Sequence, residues 1–338
     1  MSSMTEPLSQ RERPALEVTV ERLRALDEGV GPVSAEVVYG LDGLGDDQEK
    51  TLASVWYTLE ADTRRRVILA LGEAAETNFE LDFSRIGVLA LADGSPAVRE
   101  LAIELLWEDE SPELMQILLT MAEGDEENTV RASAASALGR FVLLGEMEEV
   151  PLALLKQAQS LLLGLYNNPR EDLEVRRRAL EAVANSSLDA VEQAISEAYN
   201  SDELRMQVSA VFAMGRSADE RWGSIVLEEL ESDEDELRYE AARAAGELEL
   251  EEAVPMLARI AYDDDVEIRD VAIWALGEIG GRESLRVLRL LAEEAEANEE
   301  ESLSIAIEDA IAAASLGGDN AFYLMSLDEP DSPRDPLA

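Results

Sequence analysis

A ten-residue phrase recurs along this chain and limits its possible folds more than any other feature. Leu237-Arg238-Tyr239-Glu240-Ala241-Ala242-Arg243-Ala244-Ala245-Gly246 returns as Ile268-Arg269-Asp270-Val271-Ala272-Ile273-Trp274-Ala275-Leu276-Gly277. An earlier copy runs from Val130-Arg131 to Ala137-Leu138-Gly139. Aligned on an apolar residue at position 0, Arg at 1 and small or apolar residues at 4, 7 and 8, the Arg position is filled by Arg64, Arg99, Arg131, Arg176, Arg205, Arg238 and Arg269. An eighth copy keeps Leu303, Ile307, Ala310 and Ile311 but has Ser304 in the Arg position. Successive intervals are 35, 32, 45, 29, 33, 31 and 35 residues. Recurrence at this period means stacked supersecondary units. Such an array offers an extended surface, not a closed catalytic pocket.

The 0, 4, 7, 8 spacing is one face of an α-helix. Ala at 4 and 7 lets a neighbouring helix approach closely, and Gly at 9 marks the tightest packing. Gly there costs about 1 kcal/mol of helix propensity relative to Ala, which is acceptable where space decides. A second helical stretch precedes each phrase. Ser111-Pro112-Glu113 opens one of them, as N-cap, first-turn proline and first-turn acid, followed by Leu114, Ile117, Leu118 and Met121. Others cover 221–230, 251–261 and 283–292. The unit is therefore helix A, a short turn, then helix B. One such hairpin cannot bury its apolar face, so the units must stack.

The pattern resembles the HEAT repeat family, in particular the short bacterial HEAT-like repeats also seen in phycobilin lyase subunits. The resemblance rests on the acidic A–B turns followed by Val/Leu/Ile-Arg-x-x-Ala-x-x-Ala-Leu-Gly. Its clearest copy runs from Asp265 to Gly281, and it spans residues 48–316. It implies an all-α, right-handed α-solenoid of about eight HEAT-like helical hairpins, with the B helices lining the concave face. Residues 15–47 do not fit the template and read as N-terminal capping helices. The solenoid is expected over 48–318, with the Ser304 copy as its C-terminal cap. Residues 1–14 and the acidic, Pro-rich 319–338 read as disordered ends. The 45-residue interval holds an insertion near 140–154. Either helix B is extended there or a loop leaves the array.

The formal net charge is −46, from 74 acidic and 28 basic residues, and Lys50 and Lys156 are the only lysines. Double-stranded nucleic acid and anionic membrane surfaces would be repelled, whereas a basic protein would be attracted over long range. Such a charge also promotes solubility and suits a salty cytoplasm. The chain has no Cys and no His, which excludes disulfides, thiolate nucleophiles, Cys/His zinc sites and imidazole bases. No stretch resembles a secretory signal or a membrane span. Glycine-rich phosphate loops are also missing. The expectation is a cytoplasmic protein with no cofactor and no enzymatic activity.

Three groups of residues stand out. The recurring Arg row reads as a structural ladder, because a planar guanidinium suits bridging to a carboxylate or carbonyl of the next repeat. The acidic turns, with Asp233, Asp235, Asp263 and Asp264 prominent, read as an edge that meets a basic partner. One or two acids per turn are explained by the following helix N-terminus. Four are not, and the runs lack EF-hand spacing for calcium. Trp107 occupies the Gly position of its unit, while Tyr239 and Trp274 stand at positions 2 and 6, off the core stripe. These three are the expected partner-binding aromatics, with Phe212 expected in the core. The favoured function is a protein-interaction scaffold or adaptor whose partner is a protein with a basic surface, not nucleic acid or membrane. The alternatives are a phycobilin lyase-like or chaperone subunit, implied by the resemblance, and an acidic mimic of nucleic acid.

Overall fold

A computed structural model describes residues 13–29, 31–298 and 301–316. The ends expected to be disordered lie almost wholly outside these residues. All regular structure among the described residues is helical, and none of these helices is long and apolar enough to cross a membrane. The chain divides after Ala182 into two compact units.

The first unit opens with α1 (Leu16–Glu28) and α2 (Ala35–Leu41), in the stretch that departs from the repeat template. Four hairpins follow: α3 (Asp46–Trp56) with α4 (Ala61–Thr77), α5 (Ser84–Leu91) with α6 (Pro96–Leu105), α7 (Pro112–Gly124) with α8 (Asn128–Glu146), and α9 (Leu152–Asn167) with α10 (Leu173–Val183). The second unit holds four more: α11 (Asp189–Tyr199) with α12 (Leu204–Arg216), α13 (Gly223–Glu229) with α14 (Asp235–Glu247), α15 (Val254–Ile260) with α16 (Val266–Ile279), and α17 (Gly281–Ala297) with α18 (Glu301–Leu316). Short 3₁₀ turns at Glu220–Trp222 and Glu251–Ala253 lead into α13 and α15. The Ser111 hydroxyl caps α7 by accepting from the Leu114 N–H at 3.2 Å.

The insertion in the 45-residue interval is helical. α8 runs for 19 residues, two turns past Gly139, and α9 lengthens to 16 residues to match. The added turns have a core of their own, with Phe141 and Val142 fully buried. Gly145 is so close to Leu155 that a Cβ there would come within 2.5 Å of its side chain.

The Arg row and the turn acids form one device, clearest in the first unit. Arg64 donates through Nε and Nη2 to both carboxylate oxygens of Asp93 in the next A–B turn, at 2.7 and 2.8 Å. The main-chain carbonyl of Asp93 then accepts from Arg99 at 2.8 Å. Arg99 grips both oxygens of Asp125 at 2.8 and 2.6 Å. The Asp125 carbonyl accepts from Arg131 at 2.8 Å, and Arg131 reaches Glu171 at 2.7 Å. Each aspartate also shapes its own turn, accepting from the N–H two residues on: Ser95 at 2.8 Å and Glu127 at 3.0 Å. One carboxylate thus fixes a turn and ties two repeats together, because Arg presents a planar fork that matches carboxylate geometry. Other members pair differently. Arg176 donates to the Tyr166 carbonyl at 2.9 Å. Arg238 binds Asp235 at 2.6 Å and the Ser232 carbonyl at 2.9 Å, with Asp263 at 3.8 Å. Arg269 lies 3.5 Å from Asp270, and the turn at 299–300 lies outside the described residues.

One assignment is corrected. In α12 the buried stripe is Met206, Ala210, Ala213 and Met214, so the phrase begins at Met206 and the Arg position holds Gln207, not Arg205. Gln207 makes the same bond as the arginines, donating to the carbonyl six residues back, Ser201, at 2.8 Å. Arg205 precedes the stripe and is exposed. The spacings Arg176–Gln207, Gln207–Arg238 and Arg238–Arg269 are then each 31 residues. Glycine packing confirms the register. Position 9 of one B helix meets the position 7 alanine of the next: Gly139 against Ala182, Gly215 against Ala244, Gly246 against Ala275 and Gly277 against Ala310.

Tyrosine–carboxylate contacts also link successive repeats. The Tyr199 hydroxyl donates to Glu229 at 2.5 Å, and the Tyr262 hydroxyl donates to Glu294 at 2.8 Å. Burial, then the Glu229 bond, raises the Tyr199 phenol well above its ordinary value. The bond to Glu294, then burial, raises that of Tyr262. A raised phenol stabilises the fold below its unfolded value, about 10, and that contribution is lost as pH climbs through the folded value. Tyr199→Phe is expected to remove one step lying above the ordinary phenol value from a tyrosinate absorbance titration. If that step persists in the variant, it does not belong to the Tyr199 pair.

Candidate functional site

Correcting α12 aligns three B helices of the second unit. Position 6 carries Phe212 in α12, Arg243 in α14 and Trp274 in α16. Phe212 is therefore not a core residue as expected. It is half-buried, and the Arg243 guanidinium lies over its ring, 4.0 Å from the centroid. The guanidinium is held in place by Glu240 at 2.8 Å and Glu247 at 2.7 Å. These lie at positions 3 and 10 of the same helix, one turn to either side, the spacing at which helical side chains meet. Arg216 Nη1 approaches Glu247 from α12 at 3.5 Å. Nη2 of Arg243 is buried without a hydrogen-bond partner, which is costly for a polar group.

Beside this cluster lies a groove of about 630 Å³. α14 contributes Tyr239, Arg243 and Glu247 to it, and α16 contributes Glu267, Asp270, Val271 and Trp274. Tyr239 and Trp274, selected from sequence because they lie off the core stripe, thus share one groove on the B-helix face. Trp274 is 39% exposed. One edge of its ring rests against Gly246, where a Cβ would come within 2.9 Å of Cζ3. Sequence reasoning did not identify Arg243, Glu247 or Phe212 as part of this site. The 31-residue spacing was the signal that could have found them.

Trp107 stands apart in the first unit. It is 57% exposed at the end of α6 and lines a separate groove of about 460 Å³ with Ser133, Ser136 and Arg140 of α8. Burial lowers the Arg140 pKa, and its guanidinium donates to the Leu106 and Asp109 carbonyls at 3.0 Å each, closing the C-terminal end of α6.

The four selected aspartates fall into two pairs. Asp235 and Asp263 face Arg238, and Asp263 also accepts from the Asp265 N–H at 2.9 Å. These carboxylates face an arginine of the array itself. Asp233 and Asp264 are exposed in the turns before α14 and α16. Among the described residues no three carboxylates converge as a metal set.

A family model described as HEAT repeats matches residues 87–160 and 223–306. The hairpins within these two regions match HEAT repeats. No curated protein matches the sequence. Among solved structures, an engineered protein is 18% identical over 90% of this chain and 89% of its own, with a TM-score of 0.38. Importin beta is 13% identical over 86% of this chain and 45% of its own, with a TM-score of 0.45. Human deoxyhypusine hydroxylase is 18% identical over 88% of this chain and 98% of its own, with a TM-score of 0.32.

Proposed function

We propose that this HEAT array is a non-enzymatic interaction scaffold or adaptor, and that its α14–α16 groove receives a basic segment of a partner protein. The reading rests on one observation: Tyr239 and Trp274 share an open, carboxylate-lined groove on the B-helix face. Aromatic side chains that cover no core position are favoured anchors at protein interfaces. The net charge of −46 supplies the steering, since complementary fields raise association rates more than they deepen affinity.

The test uses immobilised full-length chain and a lysate of its source cells, with retained proteins identified by mass spectrometry. Retained partners are expected to be basic and to be lost when Tyr239 and Trp274 are both changed to Ala. The double variant should weaken a purified partner by roughly 10–100-fold while its helical circular dichroism stays that of the parent. Undiminished binding by the folded double variant overturns the groove assignment. Raising salt from about 0.05 to 0.5 M should slow association, because exposed charges are screened over a shorter range. A salt-independent rate removes the steering role.

A further inference from the structure

Within the second unit, the array displays its own mode of holding a guanidinium. A ring at position 6 of one B helix, Phe212, is covered by the position 6 residue of the next, Arg243, at 4.0 Å. Carboxylates on the cation's own helix fix it there. Moving along the column, the next ring is Trp274. The residue that would cover it comes from position 6 of α18. Gly277 meets Ala310 there, so Ala310 is position 7 and position 6 is Asp309, which is exposed. The same geometric step therefore presents a carboxylate where the preceding repeat presents a cation.

Among the described residues no cation lies over Trp274, whereas Phe141, Tyr166 and Phe212 each carry an arginine. Asp270, on the same helix as Trp274, adds a second exposed carboxylate to the rim. An indole is the strongest of the aromatic cation receptors, and Arg stacks on such faces more often than Lys.

We propose that the open face of Trp274 seats an arginine side chain of the partner, with Asp309 and Asp270 as its carboxylates. This rests on the groove reading and specifies its chemistry: the partner's anchoring side chain is a guanidinium. The repeat supplies the ring and the counter-charges, and the partner supplies the cation that Arg243 supplies internally one step earlier.

The test is made on the full chain by following its tryptophan indole N–H resonances, with the Trp274 signal assigned from Trp274→Phe. Blocked Gly-Arg-Gly is titrated at about 0.3 M salt, where long-range attraction is screened. Blocked Gly-citrulline-Gly, isosteric but neutral, and Gly-Lys-Gly serve as comparisons. The arginine peptide is expected to shift the Trp274 indole in a saturable way and to leave Trp107, exposed in the other unit, unmoved. Citrulline should give no saturable shift, and lysine should bind several-fold more weakly. Asp309→Asn should weaken the arginine peptide about two- to tenfold, and Trp274→Ala should weaken a basic protein partner about three- to thirtyfold. Equal shifts from arginine and citrulline, or equal movement of Trp107, overturn the seat. If the seat fails while the Tyr239/Trp274 double variant still loses its protein partner, the groove reading stands without it. If both fail, the groove is not the binding surface.

Discussion

Asp93→Ala is expected to destabilise the first unit by about 3–5 kcal/mol, the usual cost of removing one partner of a buried ion pair. Asp93 is 2% exposed, and its two carboxylate oxygens accept four hydrogen bonds. Its carboxylate accepts from Arg64 twice, from the buried Trp56 indole at 3.0 Å, and from the Ser95 N–H. The substitution leaves the buried Arg64 charge without its carboxylate, with only the Leu59 carbonyl still accepting from it, and removes the acceptor of the Trp56 indole N–H and of the Ser95 N–H. Arg64→Met together with Asp93→Leu should recover part of the loss, because no charge remains buried. It should not recover all, because the Trp56 and Ser95 donors stay unpaired at about 1–3 kcal/mol each. Glu49→Ala, which removes one of two carboxylates from the more exposed Arg85, is expected to change stability by under about 1 kcal/mol. Guanidinium denaturation measures the three variants, and amide hydrogen exchange in α4 and α6 locates the effect. Equal small losses for Asp93→Ala and Glu49→Ala would show that burial does not set the value of these pairs.

The hairpin architecture was legible because packing repeats the same residue types. Leu138, Ala245 and Leu276 fall on one buried stripe whatever their partners do, so period and spacing alone revealed the units. Pairing was less legible. Asp263 and Asp264 are adjacent, yet one faces Arg238 and the other faces solvent, because a turn points neighbouring side chains apart. Following arginine through the chain gave the wrong register in α12, where Gln207 does the same job with a neutral amide. That shift of two residues moved Phe212 from position 6 to position 8 and concealed the Phe212, Arg243, Trp274 column. Gly215 held the correct register throughout: glycine at position 9 answers to a backbone contact, whereas a charge at position 1 can be exchanged for any group that reaches the same carbonyl. Tyr239 and Trp274 could be singled out from sequence because positions 2 and 6 lie off the core stripe.

That rule for glycine yields a prediction in which one substitution has opposite signs at equivalent positions. Gly246→Ala places a Cβ 2.9 Å from the Ala275 Cα and 2.9 Å from Trp274 Cζ3. The first is backbone and cannot move without separating α14 from α16. Overpacking of this kind costs about 1–3 kcal/mol, more than the helix propensity gained. Because the same Cβ meets the indole, the variant should also displace Trp274 from the groove wall and weaken the basic partner. Gly72 holds the same position in α4, but there a Cβ meets nothing within 4 Å. The partner helix carries Leu105 at position 7 in place of the alanine found opposite Gly139, Gly215, Gly246 and Gly277, and a leucine does not let the backbones approach as closely. Gly72→Ala should therefore stabilise the protein by about 0.5–1 kcal/mol, the propensity difference with no contact to oppose it. Denaturation midpoints of the two variants should move in opposite directions from that of the parent, and only Gly246→Ala should alter the Trp274 indole resonance. Parallel shifts would mean that helix propensity, and not the approach of successive B helices, decides the residue at position 9.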